Sequence, residues 1–288
     1  MTFAGQAPAT LLPAWIRERR VSIGELHDIK TRMRQAGLHT VCEEARCPNR
    51  TECFTRGTAT FLINGRVCTR SCGYCAVAHG RPPALDPSEP QQLAEAARAM
   101  GLRHVVITSV DRDDLPDGGA SPFVECIRLL RELRPAPTVE VLTPDFRGDM
   151  KQVDRILEAR PQVYNHNVET VARLYPTVRR SGRYEWALEV LERVAHCGLE
   201  VIPKSGLMVG LGEELAEVEA LLADLARAGC RVVTIGQYLQ PTPHQVPVAR
   251  YWHPDEFEDL ASHGEGLGLK VLAGPFVRSS YRAEEALP

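Results

Sequence analysis

The sequence alternates apolar, strand-like runs with segments of helical pattern, and this alternation limits the possible folds more than any other feature. Six such runs between residues 58 and 240 are each followed by a helical segment, and a short apolar stretch, KVLAG (270–274), closes the series. Strands that are apolar along nearly their whole length are typical of parallel sheets covered on both faces. The chain is therefore predicted to adopt an α/β fold of about six β–α units.

The placement of polar residues favours a barrel over a doubly wound sheet, which fits the number of units equally well. Polar side chains fall at or just after the predicted carboxyl ends of successive strands: Ser109, Asp111, Asp145, 165–169, Lys204 and Gln237. Active sites of α/β barrels are built from those ends. We therefore predict an open, partial (β/α)6 barrel of the TIM type over residues 58–274, with an N-terminal extension (1–57) and a C-terminal tail (275–288).

The limits of the elements follow from the same pattern. The predicted strands span 58–63, 104–110, 138–143, 163–169, 199–210 and 231–240. The predicted helices between them span 88–100, 123–133, 149–159, 184–197, 213–228 and 254–265. Ser88 is the expected N-cap of the first of these helices, and Gly101 lies just past its end. An earlier helix is predicted over 22–36, where Ser22 and Glu25 form a capping box.

Composition and charge exclude several classes of function. Of the 288 residues, 44% are apolar and 25% charged, as in a globular protein, and a net charge of −3 predicts neither a nucleic-acid nor a membrane partner. No apolar run approaches the roughly 18 residues that span a bilayer, and the N-terminus lacks the basic start of a secretory signal, so a cytoplasmic location is predicted. The first 40 residues carry six Lys or Arg against three Asp or Glu. This bias fits either a solvated face or a docking patch for an acidic partner.

Cys68, Cys72 and Cys75 follow the first barrel strand with C-x3-C-x2-C spacing. Gaps this short let three thiolates surround one iron–sulfur cubane, each binding a different iron, while the fourth iron stays open to another ligand. A zinc knuckle or a redox C-x2-C pair is the alternative. Zinc sites usually combine two paired half-sites, and no Cys/His pair follows at a suitable distance. The spacing therefore favours a [4Fe–4S] cluster.

A second group of cysteines, Cys42, Cys47 and Cys53, has gaps of four and five residues, which no common zinc module uses. Three thiolates also leave one position of a tetrahedral site unfilled. In a cytosolic chain with nine cysteines, clustered thiols indicate metal ligands rather than disulfides. The other three cysteines have apolar neighbours in or beside predicted helices and are expected to be free core thiols: Cys126, Cys197 and Cys230.

The C-x3-C-x2-C motif, with Tyr74 before its last cysteine, resembles the radical S-adenosylmethionine (SAM) superfamily. Together with the upstream C-x4-C-x5-C spacing and RSSY (278–281), it resembles the lipoyl synthase family within that superfamily. Matching motifs extend over roughly residues 13–283, among them VVITSVDRDDLPDGGA, NHNVETVARLYPTVR, KSGLMVGLGE and IGQYLQPT. Phe54, where the family usually has Trp, and a short N-terminal arm depart from the pattern without touching an expected ligand.

The resemblance implies a sulfurtransferase that inserts two sulfur atoms at C6 and C8 of an octanoyl chain linked to a lysine of a lipoyl carrier domain. It implies two [4Fe–4S] clusters and SAM. The radical-SAM triad (Cys68, Cys72, Cys75) would hold the cluster that cleaves SAM to a 5′-deoxyadenosyl radical. The auxiliary triad (Cys42, Cys47, Cys53) and a serine of RSSY would hold a second cluster, which supplies the sulfur and is consumed. By position in the motif this serine is Ser280, and Ser279 remains an alternative.

Several polar residues are candidates for the SAM pocket. Asn165, Asn167 and Glu169 alternate along a predicted strand end, so all three can face the barrel mouth and bind the ribose and methionine groups of SAM. Ser109 or Asp111 would hold the amino group of SAM.

Two basic residues, Lys204 and Arg70, have three open interpretations. They can bind the carboxylate of SAM, contact the carrier protein or form a plain surface ion pair.

The resemblance also implies partners. These are octanoylated lipoyl carrier domains (E2 subunits of 2-oxoacid dehydrogenases and the glycine cleavage H protein), a low-potential electron donor such as ferredoxin or flavodoxin, and an iron–sulfur carrier that rebuilds the spent cluster. The open side of the barrel predicts a monomer that binds its carrier transiently. Two alternative functions are a different sulfur-inserting radical SAM enzyme and a non-enzymatic two-cluster electron carrier. An electron carrier would favour four thiolates per cluster.

Overall fold

The computed structural model describes residues 12–17, 39–40, 49 and 58–287. The helix predicted over 22–36 and the auxiliary triad lie outside the described residues.

One open sheet of eight strands organises the described part of the chain. The strands are β1 (His39–Thr40), β2 (Thr58–Ile63), β3 (His104–Ser109), β4 (Thr138–Leu142), β5 (Val163–Asn165), β6 (Ile202–Val209), β7 (Val232–Gln237) and β8 (Lys270–Gly274). They lie side by side in sequence order, β1 antiparallel to β2 and all later neighbours parallel. Six parallel strands, β2–β7, are each followed by a helical connection and form the predicted partial (β/α)6 barrel. β8 is an additional, seventh parallel strand.

Most of the helices follow a strand and pack beside the sheet. They are α1 (Ala14–Arg17), α2 (Glu89–Ala99), α3 (Ala120–Glu132), α4 (Met150–Glu158), α5 (Tyr175–Val178), α6 (Tyr184–Ala195), α7 (Leu215–Arg227) and α8 (Pro254–Gly266). Ser88 is the N-cap of α2, as predicted. Gly101 follows the end of α2 with a φ of +60°, a conformation that glycine adopts without strain. None of the helices in the described part of the chain is both long and apolar enough to cross a membrane.

The hydrophobic core lies between the sheet and the helices. Phe61 of β2 and Phe123 of α3 are fully buried in one large cluster, and full burial of such a side chain contributes about 1.5–3 kcal/mol. Cys126 is buried in the same cluster and Cys197 packs against it, while Cys230 is buried in a second cluster. All three thiols are free, as predicted for core cysteines.

The strand β5 is shorter than predicted. It ends at Asn165 rather than at Glu169, because the backbone then turns: Thr170 N–H donates to the Val168 carbonyl at 2.8 Å. Glu169 has a φ of +68° and pairs with β6 through its N–H, which donates to the Gly206 carbonyl at 3.0 Å. The alternation of side chains expected for a strand therefore stops at Asn165.

Candidate active site at the carboxyl ends of the strands

A cavity of about 540 Å³ lies at the carboxyl ends of the strands. The polar residues at the predicted strand ends had indicated an active site at this position. The loops after β2, β3, β4, β5 and β7 line it, and so does the tail after β8. All three cysteines of the radical-SAM triad line this cavity, as do Ser279 and Ser280 of the tail. Candidate ligands from two distant parts of the sequence therefore share one space.

Backbone contacts fix the loop that carries the radical-SAM triad. Thr69 donates from its N–H and from its hydroxyl to the Asp111 carbonyl, at 3.0 and 2.9 Å. Gly73 N–H donates to the Val178 carbonyl at 2.8 Å. A Cβ at Gly73 would lie 2.8 Å from the Thr177 carbonyl oxygen. Glycine is therefore the residue that lets the loop pass this close to its neighbour.

The sulfur atoms of the triad lie in a largely desolvated setting. Cys68 Sγ accepts from the N–H groups of Asp111 and Arg70, at 3.3 and 3.4 Å. Burial raises the pKa of Cys68 and of Cys72 to about 12, and it also raises the pKa of Cys75. In the iron-free chain the three thiols are therefore protonated at neutral pH, and iron binding must displace those protons.

Arg70 lies inside the triad loop and is held by three carboxylates. Its side chain is 3% exposed, donates to Asp113 twice at 2.8 Å, and lies 2.8 Å from Asp145 and 3.3 Å from Asp111. Burial opposes ionisation of Asp145, but the guanidinium groups of Arg70 and Arg179 lower its pKa to about 2. Arg70 thus ties the loop to the ends of β3 and β4. Because these ion pairs are buried, they correct the surface ion pair considered for Arg70, and Arg70 itself lines the cavity.

Five of the residues considered for SAM binding line the cavity: Arg70, Ser109, Asp111, Asn167 and Glu169. Within the described part of the chain, Ser109 Oγ and Asn167 Oδ1 are buried without a hydrogen-bond partner. Such atoms are costly unless a ligand or water satisfies them, so this wall fits a polar ligand. Glu169 accepts from Asn167 at 3.2 Å, and burial raises its pKa.

Arg179 is a cavity residue to which the sequence analysis assigned no role. Its Nη1 donates to the Asn167 carbonyl at 2.5 Å, and Nη2 lies 3.5 Å from Asp145. The residue is buried and lines the cavity, so it places a positive charge in the wall. Its position in the LYPTVR motif, within the long connection after β5, was the available signal.

Asn165 and Lys204 are not among the residues that line the cavity. Lys204 lies near the start of β6, fully buried, and donates to both Glu140 carboxylate oxygens at 3.0 Å. Asn165 donates to the same carboxylate at 3.1 Å. The structure therefore corrects the prediction that these two residues contact SAM. It also corrects the surface ion pair considered for Lys204, because that ion pair is in the barrel interior.

The tail meets the N-terminal extension at a described residue. Asn49, which precedes the last cysteine of the auxiliary triad, is buried and lines the cavity. Its Nδ2 donates to the Phe276 carbonyl at 2.6 Å. RSSY begins two residues after Phe276, so the extension and the motif are adjacent at this point.

The donor set fits an iron–sulfur cluster. No three His, Cys, Asp or Glu side chains among the described residues converge on a single metal ion. Three thiols around one cavity instead suit a cubane in which each thiolate binds its own iron. The unpartnered Ser109 Oγ and Asn167 Oδ1 on the same wall suit a polar ligand beside it.

Comparison with known proteins identifies relatives over nearly the whole chain. A family model for the radical SAM superfamily matches residues 62–236, and a model for the N-terminal domain of lipoyl synthase matches residues 4–47. A lipoyl synthase from Thioalkalivibrio sulfidiphilus is 54% identical over 275 residues, covering 95% of this chain and 86% of the relative. One from Xylella fastidiosa is 52% identical over 282 residues, covering 96% of this chain and 75% of the relative.

Solved structures share the fold at low sequence identity. SuiB from Streptococcus suis bound to S-adenosylmethionine gives a TM-score of 0.58 at 10% identity, over 73% of this chain and 49% of SuiB. Methylornithine synthase (PylB) gives 0.54 at 12% identity, over 89% of this chain and 83% of PylB. These matches support the barrel fold alone.

Proposed function

This chain belongs to the lipoyl synthase family of the radical SAM superfamily, and from that premise we propose which residues hold its two iron–sulfur sites. Enzymes of this family insert two sulfur atoms at C6 and C8 of an octanoyl group on a lipoyl carrier protein, and this chain is such an enzyme. We assign the SAM-cleaving cluster to the radical-SAM triad. We assign an auxiliary, sulfur-donating [4Fe–4S] cluster to the auxiliary triad and Ser280.

The observation that carries this proposal is the contact between the extension and the tail. Asn49 of the extension donates to Phe276 of the tail at 2.6 Å, and it lines the cavity that Ser280 and the radical-SAM triad also line. A sulfur donor must lie close to the carbon radical that it attacks. An auxiliary cluster bound by Ser280 at this cavity would satisfy that requirement.

Ser280 is favoured over Ser279 as the fourth ligand because Ser279 is already engaged. The Ser279 hydroxyl accepts from Asn167 Nδ2 at 2.6 Å. Oxygen binds iron–sulfur units more weakly than thiolate does, which suits an iron that must leave when the cluster gives up sulfur.

The chain's own residues provide the setting for the chemistry. When bound, the first cluster and SAM supply a primary carbon radical, which can take hydrogen from unactivated C–H bonds. Backbone N–H groups directed at Cys68 Sγ stabilise its thiolate form. Arg179 provides a cation for the carboxylate of SAM, and Ser109, Asn167 and Glu169 provide hydrogen-bonding groups for its amino and ribose groups.

The finer identity of the partners is proposed from the family and from the needs of the reaction. Reductive cleavage of SAM requires a low-potential one-electron donor, for which we infer ferredoxin or flavodoxin. A consumed cluster requires an iron–sulfur carrier for rebuilding. We infer that the octanoylated carriers are E2 domains and the glycine cleavage H protein.

Anaerobic reconstitution tests the assignment of both sites. We expect about eight iron and eight sulfide per chain, which corresponds to two cubanes. Ser280→Ala should keep SAM cleavage to 5′-deoxyadenosine but lose sulfur insertion into an octanoylated carrier peptide. Ser262→Ala, on the exposed face of α8, is the control and should match the wild type. About four iron per chain in the wild type, or full sulfur insertion by Ser280→Ala, would contradict the proposal.

A further inference from the structure

The tail crosses the barrel where two strands have glycine instead of a side chain. A Cβ on Gly236 of β7 would lie 2.1 Å from the Val277 carbonyl oxygen. A Cβ on Gly206 of β6 would lie 2.6 Å from Thr234 Oγ1, 2.8 Å from Asn167 Oδ1 and 3.1 Å from Ser279 Oγ. Neither glycine has a positive φ, so the requirement at both positions is space and not backbone freedom. We call this space the tail slot and define it by Gly206 and Gly236.

Hydrogen bonds connect the tail to the wall of the cavity that the radical-SAM triad lines. Asn167 Nδ2 donates to Ser279 Oγ at 2.6 Å, and the same amide contacts Glu169 Oε1 at 3.2 Å. Glu169 lines the cavity together with Tyr74, which immediately precedes the last cysteine of the triad. The side chain of Ser279 is therefore linked through Asn167 to the cavity wall beside the first cluster.

The two ends of the tail are attached independently of Ser279. The tail leaves β8 at Gly274, and beyond RSSY the Thr58 hydroxyl donates to Glu284 at 2.9 Å. Ala283 and Ala286 are buried, and Ala286 packs against the first residues of β5 and β7. Between these ends, the contact made by Ser279 acts together with a backbone turn, in which Tyr281 N–H donates to the Arg278 carbonyl at 2.8 Å.

We propose that Ser279 is a positioning residue: Asn167 holds its hydroxyl in the tail slot, and this contact turns Ser280 toward the auxiliary cluster. The hydrogen bond between Asn167 and Glu169 attaches this seat to the cavity wall beside the radical-SAM triad. This inference rests on the proposed function, because it assumes that Ser280 is the ligand. It gives the two adjacent serines different roles, and it gives a reason for the glycine of the TIGQ segment.

Hydrogen exchange of the tail, measured by mass spectrometry on the anaerobically reconstituted full chain, tests whether the contact of Ser279 with Asn167 holds the tail in the tail slot. Ser279→Ala should speed exchange in residues 275–287 about fivefold, as expected for the loss of one neutral hydrogen bond. Gly236→Ala should speed it about tenfold or more, because the added methyl overlaps the Val277 carbonyl. The matched control is Gly274→Ala. A Cβ there meets Val277 Cγ2 at 3.4 Å, an ordinary contact, so exchange should not change.

The auxiliary cluster provides the second readout. If Ser279 acts through Ser280, the electron paramagnetic resonance spectrum of the reduced auxiliary cluster in Ser279→Ala should shift toward that of Ser280→Ala. The SAM-dependent change of the first cluster's spectrum should persist. Unchanged tail exchange in both Ser279→Ala and Gly236→Ala would overturn the proposal. So would a lost auxiliary cluster in Ser279→Ala with normal tail exchange, which would make Ser279 itself the ligand.

The experiment separates this inference from the proposed function. A Ser280→Ala variant that keeps about eight iron per chain and the wild-type spectrum refutes the ligand assignment. The exchange rates of Ser279→Ala and Gly236→Ala then still decide whether the tail is seated as described.

Discussion

Replacing Arg70 with methionine removes the cation that ties the loop of the radical-SAM triad to the strand ends, while keeping an unbranched side chain. Asp145 is 1% exposed and would retain Arg179, whose guanidinium lies 3.5 Å away. Asp113 and Asp111 are 23% and 21% exposed and can regain water. The variant therefore leaves one deeply buried carboxylate with a weaker partner and two that are partly hydrated.

The expected cost can be worked out in two ways. Removing one partner of a buried ion pair typically costs about 3–5 kcal/mol. Independently, the pKa of Asp145 is about 2 instead of 3.8, and one pKa unit corresponds to about 1.4 kcal/mol, so the cations near Asp145 contribute about 2 kcal/mol. Because Asp113 regains water, we expect a loss of about 3 kcal/mol in the free energy of unfolding. A loop loosened by that amount should bind iron about 100-fold more weakly.

Urea unfolding of the iron-free chain at pH 7 measures the first effect, and removal of iron from the reconstituted protein by a chelator measures the second. The control is Arg128→Met, which removes an exposed arginine of α3 with helical ion pairs to Glu125 and Glu132 and should change neither quantity. If Arg70→Met unfolds within about 0.5 kcal/mol of the wild type, which is the range of ordinary surface substitutions, the ion pairs do not fix the loop and the reasoning fails.

Three further results are expected. The free energy of unfolding of the iron-free chain should fall by about 2 kcal/mol as pH falls from about 4 to about 2, because Asp145 takes up a proton in the unfolded state before it does so in the folded state. A free energy of unfolding that stays constant over this range in an acid titration would contradict the lowered pKa. Lys204→Met should cost about 3–5 kcal/mol in urea unfolding, because it removes the ammonium partner of the buried Glu140 and leaves only Asn165 and His104 beside that carboxylate. Adding Glu140→Gln should recover part of the loss; equal losses in the single and double variants would refute the pairing. In equilibrium dialysis, Asn165→Ala should leave the Kd for SAM within about twofold of the wild type, whereas Asn167→Ala should raise it about fivefold. A larger rise for Asn165→Ala than for Asn167→Ala would contradict the assignment of the cavity wall.

The fold could be predicted from the sequence because each strand is recognisable by itself. β2 is buried along its whole length, and its apolar, β-branched sequence TATFLI shows this directly. The end of β5 could not be predicted, since VYNHNVE continues the alternating pattern past the point where the backbone turns. That turn is stabilised by the contact between Glu169 and Gly206 of β6, which are 37 residues apart, so it is decided by tertiary pairing.

The part of the site that depends on the spacing of cysteines in the sequence could be predicted. The part that depends on how far along a strand a side chain lies could not. Three thiols with three and then two residues between them can surround one cluster whatever the fold around them. Lys204 shows the opposite case. It was placed at a strand end, but β6 begins at Ile202, so Lys204 lies near the other end of the strand and inside the barrel. Its partner Glu140 is 64 residues away, and a run such as TVEVL gives no sign that its glutamate faces inward.

The two proposed iron sites are attached to the barrel by interactions of different strength. The radical-SAM triad lies on a loop held by buried ion pairs to Arg70, whose loss costs about 3 kcal/mol or more. The serine that completes the auxiliary site lies on a tail seated by a neutral hydrogen bond to Asn167, a contact that contributes about 1 kcal/mol. Because Thr58 and β8 hold the ends of the tail, the segment between them can leave its seat without detaching. The loop proposed to hold the cluster that persists through the reaction thus has the stronger attachment, and the serine proposed for the cluster that is dismantled and rebuilt has the one that releases at lower cost.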